Sequence, residues 1–363
     1  MAFMYVLEGF TMTSIWKQKS GILAGLIIGM LLGVGGLIFI SPPGVGVQGT
    51  ITTAGSTTVY PLSQIWATEF NMEFPSLVVN PSTGGSGLGQ SLIGEGLIDI
   101  GASSSYPNQA YIDENPSVDI LPVSADALGI VVNEAVNGSE FRLDCDMAVA
   151  IFQSNVTTWD EFSTVFGVTI QQSGPIHVFV RSDASGTTAT FAKWLETADK
   201  NTNSNGAEYE WFLGHEEALS FPAGANAVDG NPGVALGVET DQQAIGYVGL
   251  AFIGDLIPAD LYNPGNGEWI APSISNAVRA IPTNLTSPGQ DIMNSEIPGA
   301  YPIARLLYYL VNRSHLNQNT IAFVAWCIIQ GQKFVSVVGY VPINGTSAQS
   351  YSLGIVSTLS LSI

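Results

Sequence analysis

The residues best suited to chemistry stand in one short stretch, in which an arginine precedes a turn of small hydroxyl residues. The stretch contains Arg181, Asp183, Ser185, Gly186 and Thr187. Hydroxyl and backbone N–H groups donate hydrogen bonds, and a guanidinium is a planar, permanently charged fork of donors. The stretch therefore suits the binding of an oxyanion. It equally fits a plain surface helix with a Ser cap and an arginine nearby.

A strand and a helix must hold this turn in place. Residues 176–180 alternate apolar side chains with the residues between them, which predicts a strand that ends at the arginine. Residues 191–198 carry apolar side chains at the spacing of one helix face, which predicts an amphipathic helix that begins near Ser185. A helix N-terminus points N–H groups and the positive end of its dipole forward, and such an end binds anions.

Two upstream turns repeat this design, each between an apolar strand and a predicted amphipathic helix. The first turn contains Thr57 and Thr58, and Pro61 after it suits a first helical turn. The second turn contains Ser86. Three helix N-termini with Ser or Thr, together with one arginine, can replace the water around a small oxyanion. The predicted apolar stripe of the second helix is Leu88, Leu92, Ile93 and Leu97.

In their order along the chain, these motifs resemble those of the substrate-binding proteins of phosphate ABC transporters. The resemblance runs through most of residues 50–340. The matching segments are residues 54–58 with Gly-Ala-Gly-(Ala/Ser)-Thr-Phe, 85–87 with a Ser-Gly turn, 99–103 with Asp-(Phe/Ile)-Gly-Ala-Ser, and 181–187 with Arg-x-Asp-Gly-Ser-Gly-Thr. Weaker matches are residues 151–152 together with 158–160, residues 244–248 and residues 301–303.

The resemblance implies an α/β protein with the two-lobed periplasmic-binding-protein type II fold and an anion bound between the lobes. It implies that Arg181 is the main cationic ligand and that Asp183 orients it. The implied phosphate-binding residues are Thr57, Thr58, Ser86, Ser104, Arg181, Asp183, Ser185, Gly186 and Thr187.

Ser104 departs from the family pattern, which has an Asp directly after Gly-Ala-Ser. Phosphate near neutral pH still carries a proton, so a carboxylate that accepts this hydrogen bond favours phosphate over sulfate. A hydroxyl can serve either anion, because it both donates and accepts. The sequence therefore predicts weaker discrimination against sulfate than in the family, unless another acceptor such as Asp183 compensates.

The first 47 residues predict an attachment to the membrane. Residues 20–40 contain no charged residue, and their length as a helix, roughly 30 Å, matches the hydrocarbon thickness. A cleaved signal peptide is the alternative. Lysines before the span, and no Lys or Arg after it until Arg142, favour residues 1–19 in the cytoplasm and the body outside the cell. Residues 41–47, with two prolines, form a spacer.

Composition excludes several classes of function. The net charge of −20, from 30 acidic and 10 basic residues, argues against nucleic acid as a partner. The chain has no Gly-x-Ser-x-Gly elbow or dinucleotide fingerprint, so we predict neither an enzyme nor a cofactor. The three histidines are scattered and predict no metal site. Cys145 and Cys327 are predicted to be free thiols, because a disulfide would lock the two lobes together.

The body of the chain exceeds what one core usually holds, which predicts two lobes. Residues 48–125 and 280–363 are assigned to lobe one, and residues 126–279 to lobe two. We expect an extracellular solute-binding protein that captures inorganic phosphate, or a similar tetrahedral oxyanion, and delivers it to an ABC permease. The alternative is a surface-structural or adhesive protein that has kept the fold, since Ser104 and the tail after Asn344 match no family motif.

Overall fold

The computed structural model describes residues 48–137, 141–198 and 209–361, in which strands and helices alternate. The strands are β1 (Gly49–Gly55), β2 (Leu77–Pro81), β3 (Ile100–Ser103), β4 (Val118–Val132), β5 (Arg142–Leu143), β6 (His177–Arg181), β7 (Asn226–Val228), β8 (Ala244–Gly249), β9 (Ile257–Pro258), β10 (Asp260–Asn263), β11 (Glu268–Ile270) and β12 (Ala304–Asn312). The alternation confirms the predicted α/β class.

Helices follow most of these strands. They are α1 (Tyr60–Glu73), α2 (Ser86–Gly94), α3 (Gln109–Glu114), α4 (Glu134–Asn137), α5 (Cys145–Phe152), α6 (Trp159–Phe166), α7 (Gly186–Leu195), α8 (Gly230–Thr240), α9 (Ile274–Arg279), α10 (Gln318–Ile329) and α11 (Ser347–Ser360). Short 3-10 helices lie at Leu250–Phe252, Gly331–Phe334 and Ser336–Val338.

Strand β4 joins the two halves of the main sheet, whose order is β2-β1-β3-β12-β4-β8-β6-β7, with β9 paired to β4. Up to Ala127 the strand pairs with β12, and from Leu128 it pairs with β8. We call the part built on β2-β1-β3-β12 the first lobe and the part built on β8-β6-β7 the second lobe. Strands β11, β10 and β5 form a separate small sheet.

The apolar runs at residues 120–123 and 128–132 have the length of two short strands, but the structure joins them in the single strand β4. Ser124 and Asp126 interrupt the apolar pattern, but both are buried. The Ser124 hydroxyl donates to the carbonyl oxygen of Val341, at 2.9 Å, and Asp126 pairs with Arg305. Polar residues can continue a buried strand because their hydrogen bonds are satisfied inside the protein.

Parallel pairing brings the three predicted turns to the carboxyl ends of strands. Strand β1 runs parallel to β2 and β3, and β6 runs parallel to β7 and β8. The turns after β1, β2 and β6 lead into α1, α2 and α7. In open α/β sheets, ligands bind beyond the carboxyl ends of the strands.

The buried faces of α1 and α7 agree with their predicted amphipathic character, whereas α2 buries only Ile93 of its predicted stripe. Helix α2 ends at Gly94, and Leu88 and Leu97 are 40% and 64% exposed. Its buried face includes Gly89, where an added Cβ would lie 2.7 Å from the carbonyl oxygen of Ala102. The helix packs by its backbone against the strand ends, so Ser86, Gly89, Gln90 and Ile93 are buried and its leucines are not.

The two cysteines and the C-terminal tail lie inside the fold. Cys145, at the start of α5, and Cys327, within α10, are both buried and are not joined by a disulfide. The tail forms α11, whose Ser352 hydroxyl donates to the carbonyl oxygen of Pro122 in β4. The tail is therefore part of the first lobe's packing.

The predicted cytoplasmic segment, membrane anchor and spacer, residues 1–19, 20–40 and 41–47, lie outside the described residues. Within residues 48–137, 141–198 and 209–361, no single helix is long and apolar enough to cross a membrane. Only α10 and the 3-10 segment after it meet the length and composition criteria together, as a pair bent by 55°.

Candidate functional site

The N-termini of α1, α2 and α7 meet between the lobes, and a serine hydroxyl caps α7. The Ser185 hydroxyl accepts hydrogen bonds from the N–H groups of Thr187 and Thr188, at 3.1 and 3.2 Å. Ser56 accepts from the N–H group of Thr58, at 3.2 Å. The plain capping interpretation is therefore correct for the Ser185 hydroxyl oxygen, whereas Ser56 stabilises the turn before α1. A hydroxyl that accepts from the backbone still has its own proton to donate.

Two pairs of hydroxyl groups join the predicted turns to one another. Oγ1 of Thr58 in the first lobe lies 2.9 Å from Oγ1 of Thr187 in the second lobe. Oγ of Ser86 lies 3.2 Å from Oγ of Ser104 and also accepts from the Ser104 N–H group, at 3.1 Å. All four residues are buried. The sequence thus identified groups that come together from widely separated positions.

Gly186 stands where the second lobe comes closest to the first. An added Cβ there would lie 2.6 Å from the Ser105 nitrogen, 2.7 Å from Ser86 Oγ and 2.8 Å from the Ser104 carbonyl carbon. Real Cβ atoms do not approach other heavy atoms so closely. Any side chain at this position would therefore push the lobes apart.

Arg181 points into this cluster and is held by Asp183. The Arg181 Nε donates to Oδ1 of Asp183, at 2.7 Å, and Nη2 contacts Oδ2 of the same carboxylate. Nη2 also donates to Oγ1 of Thr57 in the first lobe, at 2.9 Å. The Arg181 side chain is only 2% exposed. Both oxygens of Asp183 are occupied by the guanidinium, which fits the orienting role expected for this carboxylate.

A second buried arginine, Arg305, lies at the same cluster and was missed in the sequence. Its Nη2 lies 2.7 Å from Oδ2 of Asp126, and the two side chains are 5% and 0% exposed. Nη1 donates to Oγ1 of Thr187 and to the carbonyl oxygens of Ser104 and Gly186, at 3.2 to 3.3 Å. Burial lowers the pKa of the guanidinium, and Asp126 opposes this shift. One signal could have revealed it: Arg305 is a lone charge in an otherwise apolar strand.

Asn231 at the start of α8 was also missed. Its side-chain nitrogen donates to Oγ1 of Thr58, at 2.9 Å, and to Oγ1 of Thr57, at 3.3 Å. Its side-chain oxygen accepts from the N–H group of Gly249, at 3.0 Å. No motif marked this residue, because a single Asn among small residues is common in turns.

The structure brings all nine predicted site residues into one connected polar cluster. We call it the hydroxyl cluster. Its members are Thr57, Thr58, Ser86, Ser104, Arg181, Asp183, Ser185, Gly186 and Thr187, to which the structure adds Arg305, Asp126 and Asn231. Each arginine is paired with a carboxylate, so the cluster is locally balanced within a chain of net charge −20.

A cavity of about 500 Å³ adjoins the hydroxyl cluster between the lobes. Ser104 and Arg305 belong both to its lining and to the cluster. Glu217 and Lys193 of the second lobe and Tyr308 of the first also line it. The cluster therefore lies next to an interlobe cleft.

Two lobes joined through one long strand, with helix N-termini converging on an interlobe cleft, define the periplasmic-binding-protein fold. The chain belongs to the PBP superfamily, because the family model of the PBP superfamily domain matches residues 41–331.

Three proteins similar to this chain are named as phosphate-binding or phosphate-transport proteins. The phosphate-binding protein PstS of Xylella fastidiosa is 27% identical over 312 residues, which cover 81% of this chain and 81% of that protein. An ABC-type phosphate transport receptor from Vibrio cholerae has a TM-score of 0.56 at 19% identity, covering 81% of this chain and 99% of that one. A high affinity periplasmic phosphate-binding protein bound with phosphate, PfluDING, has a TM-score of 0.63 at 18% identity, covering 84% and 93%. At these identities the two structures show the fold alone. These relatives are named as binding and transport proteins, not as enzymes.

Proposed function

We propose that the protein is an extracellular solute-binding protein that captures inorganic phosphate, or a similar tetrahedral oxyanion, and delivers it to an ABC permease. One observation carries the proposal: three helix N-termini, their hydroxyl groups and two buried arginines converge between two lobes. The name of the PstS relative and the phosphate bound to PfluDING support the choice of anion.

In the proposed binding mode, contacts with the anion replace hydrogen bonds that now join the lobes directly. The pair Thr58–Thr187 and the bond from Arg181 to Thr57 both cross the cleft. An oxyanion between these groups would accept from each of them, so both lobes would contact it. Arg181 is the main cationic ligand in this mode, and Arg305 lies close enough to add a second positive charge.

The lobe boundaries are part of the proposal. Residues 48–125 and 280–363 would form lobe one, and residues 126–279 lobe two. The change of the pairing partner of β4 between Ala127 and Leu128 supports a crossing at that position. Because β4 crosses between the halves, the lobes can rotate about this crossing as a hinge.

Attachment to the membrane through residues 20–40 is proposed from the sequence alone. An anchored N-terminus would keep the binding protein near a permease in the same membrane. Lysines before the span and none directly after it support an external body. Extraction of membranes at high pH tests this: an anchored protein stays with the lipid, and a protein whose signal is cleaved is released.

Equilibrium dialysis with radiolabelled phosphate tests the proposed function. The purified protein should retain phosphate at a ratio of one per chain, and unlabelled phosphate should displace the label. Absence of saturable binding would favour the alternative, a surface-structural or adhesive protein with this fold. The tail no longer supports that alternative, since α11 packs against β4.

A further inference from the structure

The carboxylate of Glu217, in the second lobe, is connected by hydrogen bonds to the residues on both sides of Ser104. Its Oε1 accepts from the Ser105 hydroxyl, and from Nε2 of Gln90 at 2.8 Å. The same Gln90 nitrogen donates to Oγ of Ser103, at 3.0 Å. The residues before and after Ser104 are therefore both connected to this carboxylate. Ser104 is the position at which the family resemblance leads us to expect an acceptor carboxylate.

Glu217 also contacts the turn before α7 and lies beside the first turn of α2. Its carbonyl oxygen accepts from the N–H group of Ser185, the cap of α7, at 2.9 Å. An added Cβ on Gly87, in the first turn of α2, would lie 3.0 Å from its Oε2. Oε2 accepts no hydrogen bond from any residue in the three described segments, and Glu217 lines the interlobe cavity beside Ser104. Oε1 is thus held by the first lobe, while Oε2 remains available to accept a hydrogen bond from a bound anion.

The two other carboxylates of the cluster are committed to arginines. Both oxygens of Asp183 contact Arg181, and Oδ1 also accepts from the Gly230 N–H group, at 3.2 Å. Oδ2 of Asp126 accepts from Nε and Nη2 of Arg305, and its Oδ1 accepts from the Leu250 N–H group, at 3.1 Å. The oxygens of both carboxylates are therefore occupied by donors within the protein. Burial raises the pKa of the Glu217 carboxyl, although the hydrogen bonds from Ser105 and Gln90 oppose this shift.

We propose that Glu217 accepts the hydrogen bond from a monoprotonated tetrahedral oxyanion, and so makes the cleft select hydrogen phosphate over sulfate. The inference rests on the proposed function. Selection then depends on closure, because Glu217 belongs to the second lobe and Ser104 to the first. A Ser at position 104 fits this arrangement, since a second carboxylate there would repel the first.

This inference reverses the expectation from the sequence. With Ser104 alone, sulfate and phosphate should compete on similar terms. With Glu217 as acceptor, sulfate has no proton to offer and meets a repelling carboxylate. The affinity ratio of the two anions therefore distinguishes the two expectations.

The test measures dissociation constants for phosphate and for sulfate by equilibrium dialysis, at one pH and one salt concentration, with the full chain. The variant is Glu217→Gln, which keeps the shape and removes the charge. A hydrogen bond with a charged partner changes affinity by about 10- to 100-fold. Phosphate should therefore bind Glu217→Gln at least about tenfold more weakly, and sulfate should bind no more weakly than to the unchanged protein.

Glu239→Gln is the matched control, because this exposed carboxylate of the second lobe, near the end of α8, does not line the interlobe cavity. It should leave the phosphate-to-sulfate ratio unchanged. Adding Ser104→Asp to Glu217→Gln should restore the ratio by returning a carboxylate from the first lobe. If Glu217→Gln does not fold, Glu217→Asp withdraws the carboxylate by one methylene group and should also lower the ratio.

The inference is overturned if the unchanged protein binds both anions equally, or if neither substitution of Glu217 alters the ratio while phosphate still binds. A protein that binds neither anion overturns the proposed function itself. The two failures therefore give different results.

Discussion

Oδ2 of Asp126 lies 2.7 Å from Nη2 of Arg305, and this ion pair joins β4 to β12 in the buried centre of the molecule. A second ion pair, Asp119 with Arg313, joins the same part of the fold at the surface, where the side chains are 20% and 45% exposed. Both pairs join an Asp to an Arg, so a comparison between them isolates the effect of burial on stability.

Asp126→Ala should lower the free energy of unfolding by about 3–5 kcal/mol, because it leaves Arg305 buried without its counter-charge. Asp119→Ala, the matched surface control, should cost no more than about 1 kcal/mol. Urea denaturation followed by circular dichroism measures both. Equal losses of unfolding free energy for the two substitutions would show that burial does not increase the contribution of the ion pair to stability.

Arg181→Ala should weaken phosphate binding by at least about 30-fold, since truncating one member of a buried charge pair typically costs about 2–5 kcal/mol. Arg142→Ala is the control, because Arg142 is 63% exposed and lies 3.8 Å from Asp260, away from the hydroxyl cluster. Isothermal titration calorimetry gives both affinities. An unchanged affinity for Arg181→Ala would remove this residue from the binding site.

Gly186→Ala should impair binding more than folding, because the new methyl group would meet Ser105 and Ser86 of the opposite lobe. Overpacking of about 1–3 kcal/mol corresponds to a loss of affinity of at least about fivefold. Gly354→Ala in α11 is the control, since an added Cβ there meets nothing within 4 Å. Calorimetric titration of both variants with phosphate compares them. Full affinity in Gly186→Ala would contradict lobe contact at this residue.

Glu217 should make stability depend on pH. Its pKa is raised in the folded protein, mainly by burial, so the folded state holds the proton more tightly than the unfolded state. Its stabilising contribution is therefore fully present below the ordinary glutamate pKa of about 4.3, and it is lost as the pH rises through the folded value.

Urea denaturation at several pH values measures this contribution. The unfolding free energy of the unchanged protein, minus that of Glu217→Gln, should fall as the pH rises above about 4. The charged groups around Glu217 are Glu216, Asp183, Lys193, His215, Asp291 and Arg305. If the difference in unfolding free energy stays constant with pH, these neighbours cancel the effect of burial on the pKa of Glu217.

Local sequence determined the elements that carry the site. The turn at residues 181–187 formed the strand end and capped helix that its alternation and its Ser185 predicted, because both depend on residues close in the chain. The stripes of α1 and α7 are buried for the same reason. The repeated turn design also indicated the residues that meet between the lobes.

Tertiary structure decided the face of α2 and the continuity of β4. Apolar periodicity placed Leu88 and Leu97 inside, but Gly89 allows the backbone of α2 to approach the ends of β1 and β3. The polar residues Ser124 and Asp126 continue β4 only because partners far along the chain, Val341 and Arg305, satisfy them. The local sequence pattern around β4 does not indicate partners so distant in the chain.

The sequence alone supplied Arg181, Asp183 and the hydroxyl residues, because they stand together in motifs. It did not supply Arg305, Asn231 or Glu217, which reach the hydroxyl cluster from separate segments of the chain. Their roles depend on which strand lies beside which, and on burial that changes proton affinity. Only the folded chain brings Glu217 next to Ser104, so only the tertiary structure could show a carboxylate where the sequence shows a hydroxyl.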